Sequence, residues 1–333
     1  TLLDSASAAT YYPTTTDVEI IEVETATSGA KTFSLKNTTG VTTVEITSPA
    51  AGGFATNVSD LNGQTVKIMT NAGGSTDFSS KAIVLTAATG VTNTSVEISQ
   101  STSSSLNDAV SLAGTVFSTN SGSLTINDTA VDNATTGDHF LDHVYTTNGT
   151  AATAKLTSLT IKGGGDTDTS TSAMDANTHT ISTSAQVNIS TIDATDMVAN
   201  LNTVGMTLKT GATINLGSAS TTTTVDGLDL VADEIKIVDA GGTDTLAATS
   251  LGVTNETAIR PNTNGIETFD FDIVDDGTNT AAAVTFDLRD AVGLTTFELA
   301  VLAASVTALG TTDEAVTVSN LADGAKLALT GAD

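Results

Sequence analysis

No cysteine and no tryptophan occur in this chain, proline appears three times, and aromatic residues fill 4% of its 333 positions. The missing thiols exclude a disulfide scaffold, a thiolate metal site and a cysteine nucleophile. Apolar residues make up 39%, mostly Val, Ile, Leu and Ala. Small β-branched side chains suit thin, regularly stacked layers better than one large globular centre. Basic residues are also scarce: 11 Lys and Arg face 38 Asp and Glu, a net charge of −27. Such a polyanion repels nucleic acid and anionic membrane, and it attracts divalent cations through carboxylate and carbonyl oxygens. Plain solubility or adaptation to a salty habitat is the bland alternative. No apolar run approaches the ~18 residues that span a bilayer. The opening TLLDSASAATYY lacks the basic start and apolar stretch of a secretory leader, and Thr1 as a first residue suits a processed chain or an internal segment of a longer one.

What the chain does have is repetition. Residues 32–46 read TFSLKNTTGVTTVEI and residues 285–299 read TFDLRDAVGLTTFEL, identical at seven of fifteen positions. Most other positions are physically equivalent swaps, such as Lys36 for Arg289 and Ile46 for Leu299. A looser copy at 81–98 keeps Lys81, Leu85, Gly90, Val91 and the ending Val96, Glu97, Ile98. Internal repetition of this kind decides architecture before any other signal.

Short runs of period-two alternation recur between turn residues, at 18–23, 66–69, 83–85, 124–126, 159–161, 206–208, 214–216, 235–238 and 284–288. Alternation puts each apolar set on one strand face, so the expected fold is all-β. Low aromatic content and imperfect repeats favour an irregular parallel β-helix, or β-solenoid, over tandem antiparallel β-sandwich domains. The variable step between runs argues against a strict nine-residue roll. Helices are expected to be few and short, with candidates at 103–117 and 193–205. Polar, turn-rich seams at 127–138 and 257–265 suggest three segments: 1–126 with the copies at 32–46 and 81–98, a middle β-rich segment 127–238, and 239–333 with the copy at 285–299.

Three stretches carry oxygen ligands suited to a hard cation, and calcium is the expected cofactor. DAGGTDTLAA offers Asp239, Gly241, Gly242 and Asp244: paired glycines let the backbone turn while a carboxylate follows. IKGGGDTDT offers Gly163, Gly164, Gly165, Asp166 and Asp168. FDFDIVDDG places Asp270 and Asp272 on one strand face with Asp275 and Asp276 at the turn, where adjacent carboxylates repel unless solvated or bridged. An ordinary Gly-rich turn and a solvated acidic face are the plain readings of these segments. Paired carboxylates also serve glycosidases, but a chain without Trp lacks sugar platforms. His139 and His143 stand four apart in GDHFLDHVY without a third ligand nearby, and His179 has no companion in the sequence. Eight Asn-X-Ser/Thr sequons occur, Asn93 among them. No catalytic motif stands out, and a non-enzymatic role is expected.

The spacing of GGTDTL at 241–246 and GIET at 265–268 resembles RTX-type bacterial surface-layer proteins and related type I-secreted surface proteins, in which a GGxGTDxL turn precedes a strand, a variable segment and a G(I/F)ET strand. The third glycine of the full calcium repeat is absent here. TLLDSA followed by TDVEIIEVETA parallels DTLAAT followed by NGIETFDFDI, as if the chain began just after such a turn, and the closing LTGAD resembles the opening of another. The resemblance is detailed over 18–46 and 239–299. It implies RTX-like turns, calcium, secretion to an extracellular bacterial cell surface, and self-association into a homo-oligomeric lattice or filament. Contact with cell-surface polysaccharide would run through regions outside this segment. A large repetitive adhesin or biofilm-matrix fibre is the alternative function.

Overall fold

The computed structural model describes residues 9–24, 30–47, 56–69, 82–99, 115–119, 121–129, 143–147, 156–164, 178–182, 188–204, 206, 208–231, 234–251, 258–275, 284–303 and 316–331. In chain order the first strands are β1 (Ala9–Tyr11), β2 (Ile20–Glu24), β3 (Lys31–Ser34), β4 (Thr43–Thr47), β5 (Thr56–Leu61), β6 (Thr65–Met69), β7 (Ala82–Ala87), β8 (Asn93–Ser99) and β9 (Thr115–Thr119). Then come β10 (Ser123–Asp128), β11 (His143–Thr147), β12 (Ser158–Gly163), β13 (Thr178–Ser182), β14 (Thr191–Met197), β15 (Asn200–Asn202), β16 (Ala212–Leu216), β17 (Thr222–Asp226) and β18 (Ile235–Val238). The last are β19 (Thr245–Leu251), β20 (Asn262–Asn264), β21 (Thr268–Asp275), β22 (Val284–Asp287), β23 (Ala291–Val292), β24 (Thr296–Ala303), β25 (Val316–Ser319) and β26 (Lys326–Gly331).

The odd strands to β21, then β24 and β26, form one sheet of 13 strands, and the even strands to β20, then β23, form a second of 11. β22 and β25 make a small third sheet. Every pairing between these strands is parallel. Among the described residues only the isolated bridge between Val231 and Ile259 is antiparallel. The fold is therefore nearly all-β with long parallel sheets, as in a β-helix, and antiparallel sandwiches are excluded among the described residues. β10 spans residue 127 and pairs with both β8 and β12.

Register explains the sequence pattern. Val44, Val66, Val96, Ile126 and Ile161 are successive partners in the second sheet, and each is at most 1% exposed. The steps between them run from 22 to 35 residues, because parallel pairing requires matching strand faces but not equal loops. Each buried Val or Ile contributes ~1.5–3 kcal/mol. In the first sheet, Phe269 and Phe297 are register partners that join Phe271 and Phe286 in one buried aromatic cluster, with ring centroids 5.1–6.4 Å apart. Hydroxyls stitch one corner: Thr42, Ser123, Thr157, Ser190 and Thr295 each donate to a backbone carbonyl one layer earlier, at 3.0–3.2 Å. The abundance of Thr and Ser is partly this corner.

The repeated fifteen-residue unit is a strand, a bend and a strand. In the two close copies the amides of Thr38 and Ala291 donate to the carbonyls of Leu35 and Leu288 at 3.0–3.1 Å, ahead of the glycine, whereas in the looser copy the Val91 amide donates to Ala88 O at 3.1 Å across Gly90. Gly40, Gly90 and Gly293 turn with φ of +87, +91 and +99, a region that glycine enters without steric cost. The first copy joins the two long sheets through β3 and β4, whereas the copy at 285–299 joins the small sheet to the first long one through β22 and β24. What recurs is the bend, not a particular face.

Two expectations are corrected. The helix candidate 193–205 is not a helix in its described residues: Asp193 lies in β14 and Leu201 in β15, each paired on both sides, and residue 205 lies outside the described residues. Of the run 206–208, Met206 and Leu208 lie outside the strands and are buried, Met206 donates its amide to Thr203 O at 2.9 Å, and residue 207 lies outside the described residues. Of the candidate helix 103–117, residues 115–117 open β9 and the rest lies outside the described residues.

One apolar column is interrupted. The register Val23, Ile46, Ile68, Ile98 continues to Asp128 and then Gly163. Asp128 Oδ2 meets His179 Nε2 at 3.2 Å, with both side chains fully buried. Leaving one buried polar partner unsatisfied costs about 1–3 kcal/mol, whereas replacing both by apolar groups can be nearly neutral. His179→Leu is therefore expected to lower local stability by about that much, read as lost hydrogen-exchange protection in β10–β15. The double variant Asp128→Val/His179→Leu should recover most of the loss, and additive losses in the pair would show that the two do not interact.

Candidate functional site

The GGTD turn leaves β18 at Asp239 and enters β19 at Thr245. Gly241 and Gly242 have φ of +140 and +125. A Cβ on Gly242 would lie 2.8 Å from Asp244 Oδ2 and 2.9 Å from Ala219 O, so only glycine fits there. Asp239 Oδ2 accepts from Gly241 N at 2.8 Å. Asp244 Oδ1 accepts two bonds from the preceding layer, from Thr221 N at 2.7 Å and Thr221 Oγ1 at 2.8 Å. Asp244 N in turn donates to Glu267 Oε2 at 2.9 Å. A side chain one layer later thus caps an amide one layer earlier, twice in succession and 23 residues apart each time.

Asp239 is 9% exposed and Asp244 fully buried. Asp239 Oδ1 and Asp244 Oδ2 are buried without a hydrogen-bond partner. Burial pushes Asp239 up to about 6, with the charges of Asp244 and Glu267 adding to the effect and the Gly241 and Ala240 amides opposing it. Burial also raises Asp244, the Thr221 bonds oppose this, and the Glu267 charge adds to it. The arrangement holds three interacting carboxylates, of which two oxygens lack donors. No group of three or more His, Cys, Asp or Glu is arranged as a metal cluster among the described residues. Glu267 was not singled out as a site residue from the sequence, although the equal 23-residue spacing from Thr221 to Asp244 to Glu267 could have found it.

The other candidates scatter. Gly163 closes β12, where a Cβ would fall 2.0 Å from Asp128 O, and one on Gly164 would fall 2.8 Å from Ala199 Cβ and 3.1 Å from His179 Nε2. These two glycines admit the close approach of the buried Asp128–His179 pair, so His179 does have company. Gly165, Asp166 and Asp168 lie outside the described residues, as do His139 and Asp276. His143 opens strand β11, in register with His179, rather than a helical turn. Asp270 and Asp272 alternate with buried Phe269, Phe271 and Ile273 on β21, so they share its outer face. Asp270 stands opposite Glu298, and Asp272 is raised by partial burial and by Asp270. Asp275 ends that strand. A second acidic group surrounds the 3₁₀ turn Gly227–Leu230, where burial, Asp226 and Glu234 push Asp229 up to about 7.

No protein-family model, curated protein or solved structure matches this chain.

Asp239 and Asp229 bind their protons more tightly in the folded chain than at the ordinary value of ~3.9. Their contribution to stability is therefore present at low pH and is lost as pH rises through about 6 to 7. Chelator-treated protein is expected to melt higher at pH ~5 than at pH ~7.5, and the variants Asp239→Asn and Asp229→Asn should each flatten that difference. An unchanged slope in both would show that these groups are not the source.

Proposed function

We propose that this chain is a structural, non-enzymatic protein of a bacterial cell surface: a segment of β-solenoid that self-assembles, in the manner of a surface-layer subunit, into a lattice stiffened by calcium. The long parallel sheets support a stacked coil with RTX-like turns. The charge of −27 supports neutralisation by cations rather than by basic partners. The observation that carries the reading is the pair of buried, partnerless oxygens at the GGTD turn, Asp239 Oδ1 and Asp244 Oδ2. Desolvated carboxylate oxygens without donors are costly unless protonated or bound to a cation.

Calcium supplies two positive charges and accepts several oxygen ligands in loose geometry. Asp239 and Asp244 would hold it, with Gly242 keeping the turn open and Glu267 fixing the Asp244 amide. Asp270 and Asp272, on an outer face, suit bridging between copies. Because such a site exists only in the folded state, metal binding adds directly to folding. A chain exported unfolded from a calcium-poor cytosol would then complete its fold outside.

Millimolar calcium is expected to raise the melting temperature of the chelated protein, and Asp239→Ala/Asp244→Ala should remove most of that rise. At ~1,000 times the dissociation constant the stabilisation is about 4 kcal/mol. Electron microscopy of the calcium-loaded protein should show ordered arrays. Retained stabilisation with dispersed particles would favour the adhesin or matrix-fibre reading, and no calcium effect at all would overturn both.

A further inference from the structure

The turn at 62–64 joins β5 to β6, and the turn at 90–92 leads into β8 one layer away, where Thr65 pairs with Ser95. Together they enclose an open groove of about 320 Å³, at the small end of the ~300–1,000 Å³ typical of ligand sites. Its walls present the amides and hydroxyls of Asn62, Gln64, Thr92, Asn93 and Ser95. Gly63 and Gly90 both turn with φ of +91, and a Cβ on either would meet nothing within 4 Å. Both glycines thus face open space.

Among the described residues no charged side chain lines this groove, in a chain where carboxylates outnumber cations 38 to 11. On the two strands that leave it, Lys67 and Glu97 pair with each other at 3.3 Å. The polar groups are held in place. Gln64 Oε1 accepts from Asn62 N at 2.5 Å, which directs the amide nitrogen of Gln64 to another acceptor. Asn93 Oδ1 accepts from Ser123 Oγ at 2.9 Å and from Thr125 Oγ1 at 3.4 Å, and its Nδ2 donates to Ser95 Oγ at 3.2 Å.

The chemistry of the walls selects the ligand. Among the described residues, a phosphate or sulfate finds no cationic partner, a metal ion finds no carboxylate, and an apolar ligand meets one apolar side chain, Val91. Fixed amides and hydroxyls match a ligand that both donates and accepts hydrogen bonds along its length without carrying charge. We propose that this groove binds a neutral saccharide. Without an aromatic ring to stack on, a single site holds it weakly, with a dissociation constant on the order of 1 mM, about −4 kcal/mol.

The test follows backbone amide resonances of the full chain during titration with neutral gluco- and manno-oligosaccharides of two to four units, with a sulfated oligosaccharide as control. Saturating shifts confined to Gly63, Gly90, Thr92 and their neighbours are expected for at least one neutral sugar and not for the sulfated one. Asn62→Ala/Gln64→Ala should weaken that binding about tenfold, the loss of one to two hydrogen bonds, at an unchanged melting temperature. Thr92→Val, which keeps shape and removes one hydroxyl, provides a milder second variant. Absence of localised shifts at ~50 mM sugar, equal response to the sulfated control, or wild-type binding by both variants would each overturn the proposal.

Discussion

Parallel pairing of each strand with its counterpart one layer away is the constraint on which the rest of this structure depends. It places equivalent residues about 4.8 Å apart along every column, so each choice of side chain is also a choice about its own neighbour. Apolar columns such as Val44, Val66, Val96 and Ile126 follow directly, because one polar residue there would face two apolar partners. The hydroxyl corner from Thr42 to Thr295 has the same cause: where the chain bends away from the ladder, a short side chain with its own donor reaches the carbonyl of the layer before.

The same spacing makes like charges expensive on the outer faces. Glu22 stands opposite Glu45, Glu45 opposite Lys67, and Lys67 opposite Glu97. Lys162 likewise lies against Asp196 at 2.7 Å. Lys67 is thus placed between carboxylates of adjacent layers, where it relieves repulsion on two sides. Exposed ion pairs of this kind contribute little individually, yet at these positions they replace a repulsive contact rather than add to a neutral one. Asp270 opposite Glu298 has no Lys or Arg at its register positions and keeps its charge on the surface.

Fold class was legible because alternation and turn chemistry are local signals, and the structure reads them as parallel strands with layers of unequal length. The segment 193–205 misled because Met197 and Leu201 have helical spacing, while the lateral partners of β14 and β15 that decide the matter are absent from any local window. The repeated unit was legible as strand, turn and strand, but not the sheets it would join, since the bend is encoded at Gly40 and Gly293 and the face by the layer count. At the candidate site, Asp239 and Asp244 were visible through the paired glycines. Glu267 and the Asp128–His179 contact were not, because both arise from register between distant segments.

Why Asp244 is an aspartate bears on what the turn does. As a cap for a neighbouring layer, a neutral amide suffices: one layer away, Asn200 Oδ1 accepts from Thr222 N at 2.8 Å, much as Asp244 Oδ1 accepts from Thr221 N. Asparagine at 244 would make that bond without placing a charge in a fully buried position. The carboxylate instead adds a second oxygen that accepts no bond, beside Glu267, whose charge makes its ionisation harder still. A cap does not require that cost. Among the described residues no Lys or Arg is hydrogen-bonded to either oxygen of Asp244, so the cost is met by a proton or, in the calcium-bound form proposed above, would be met by a cation from solution.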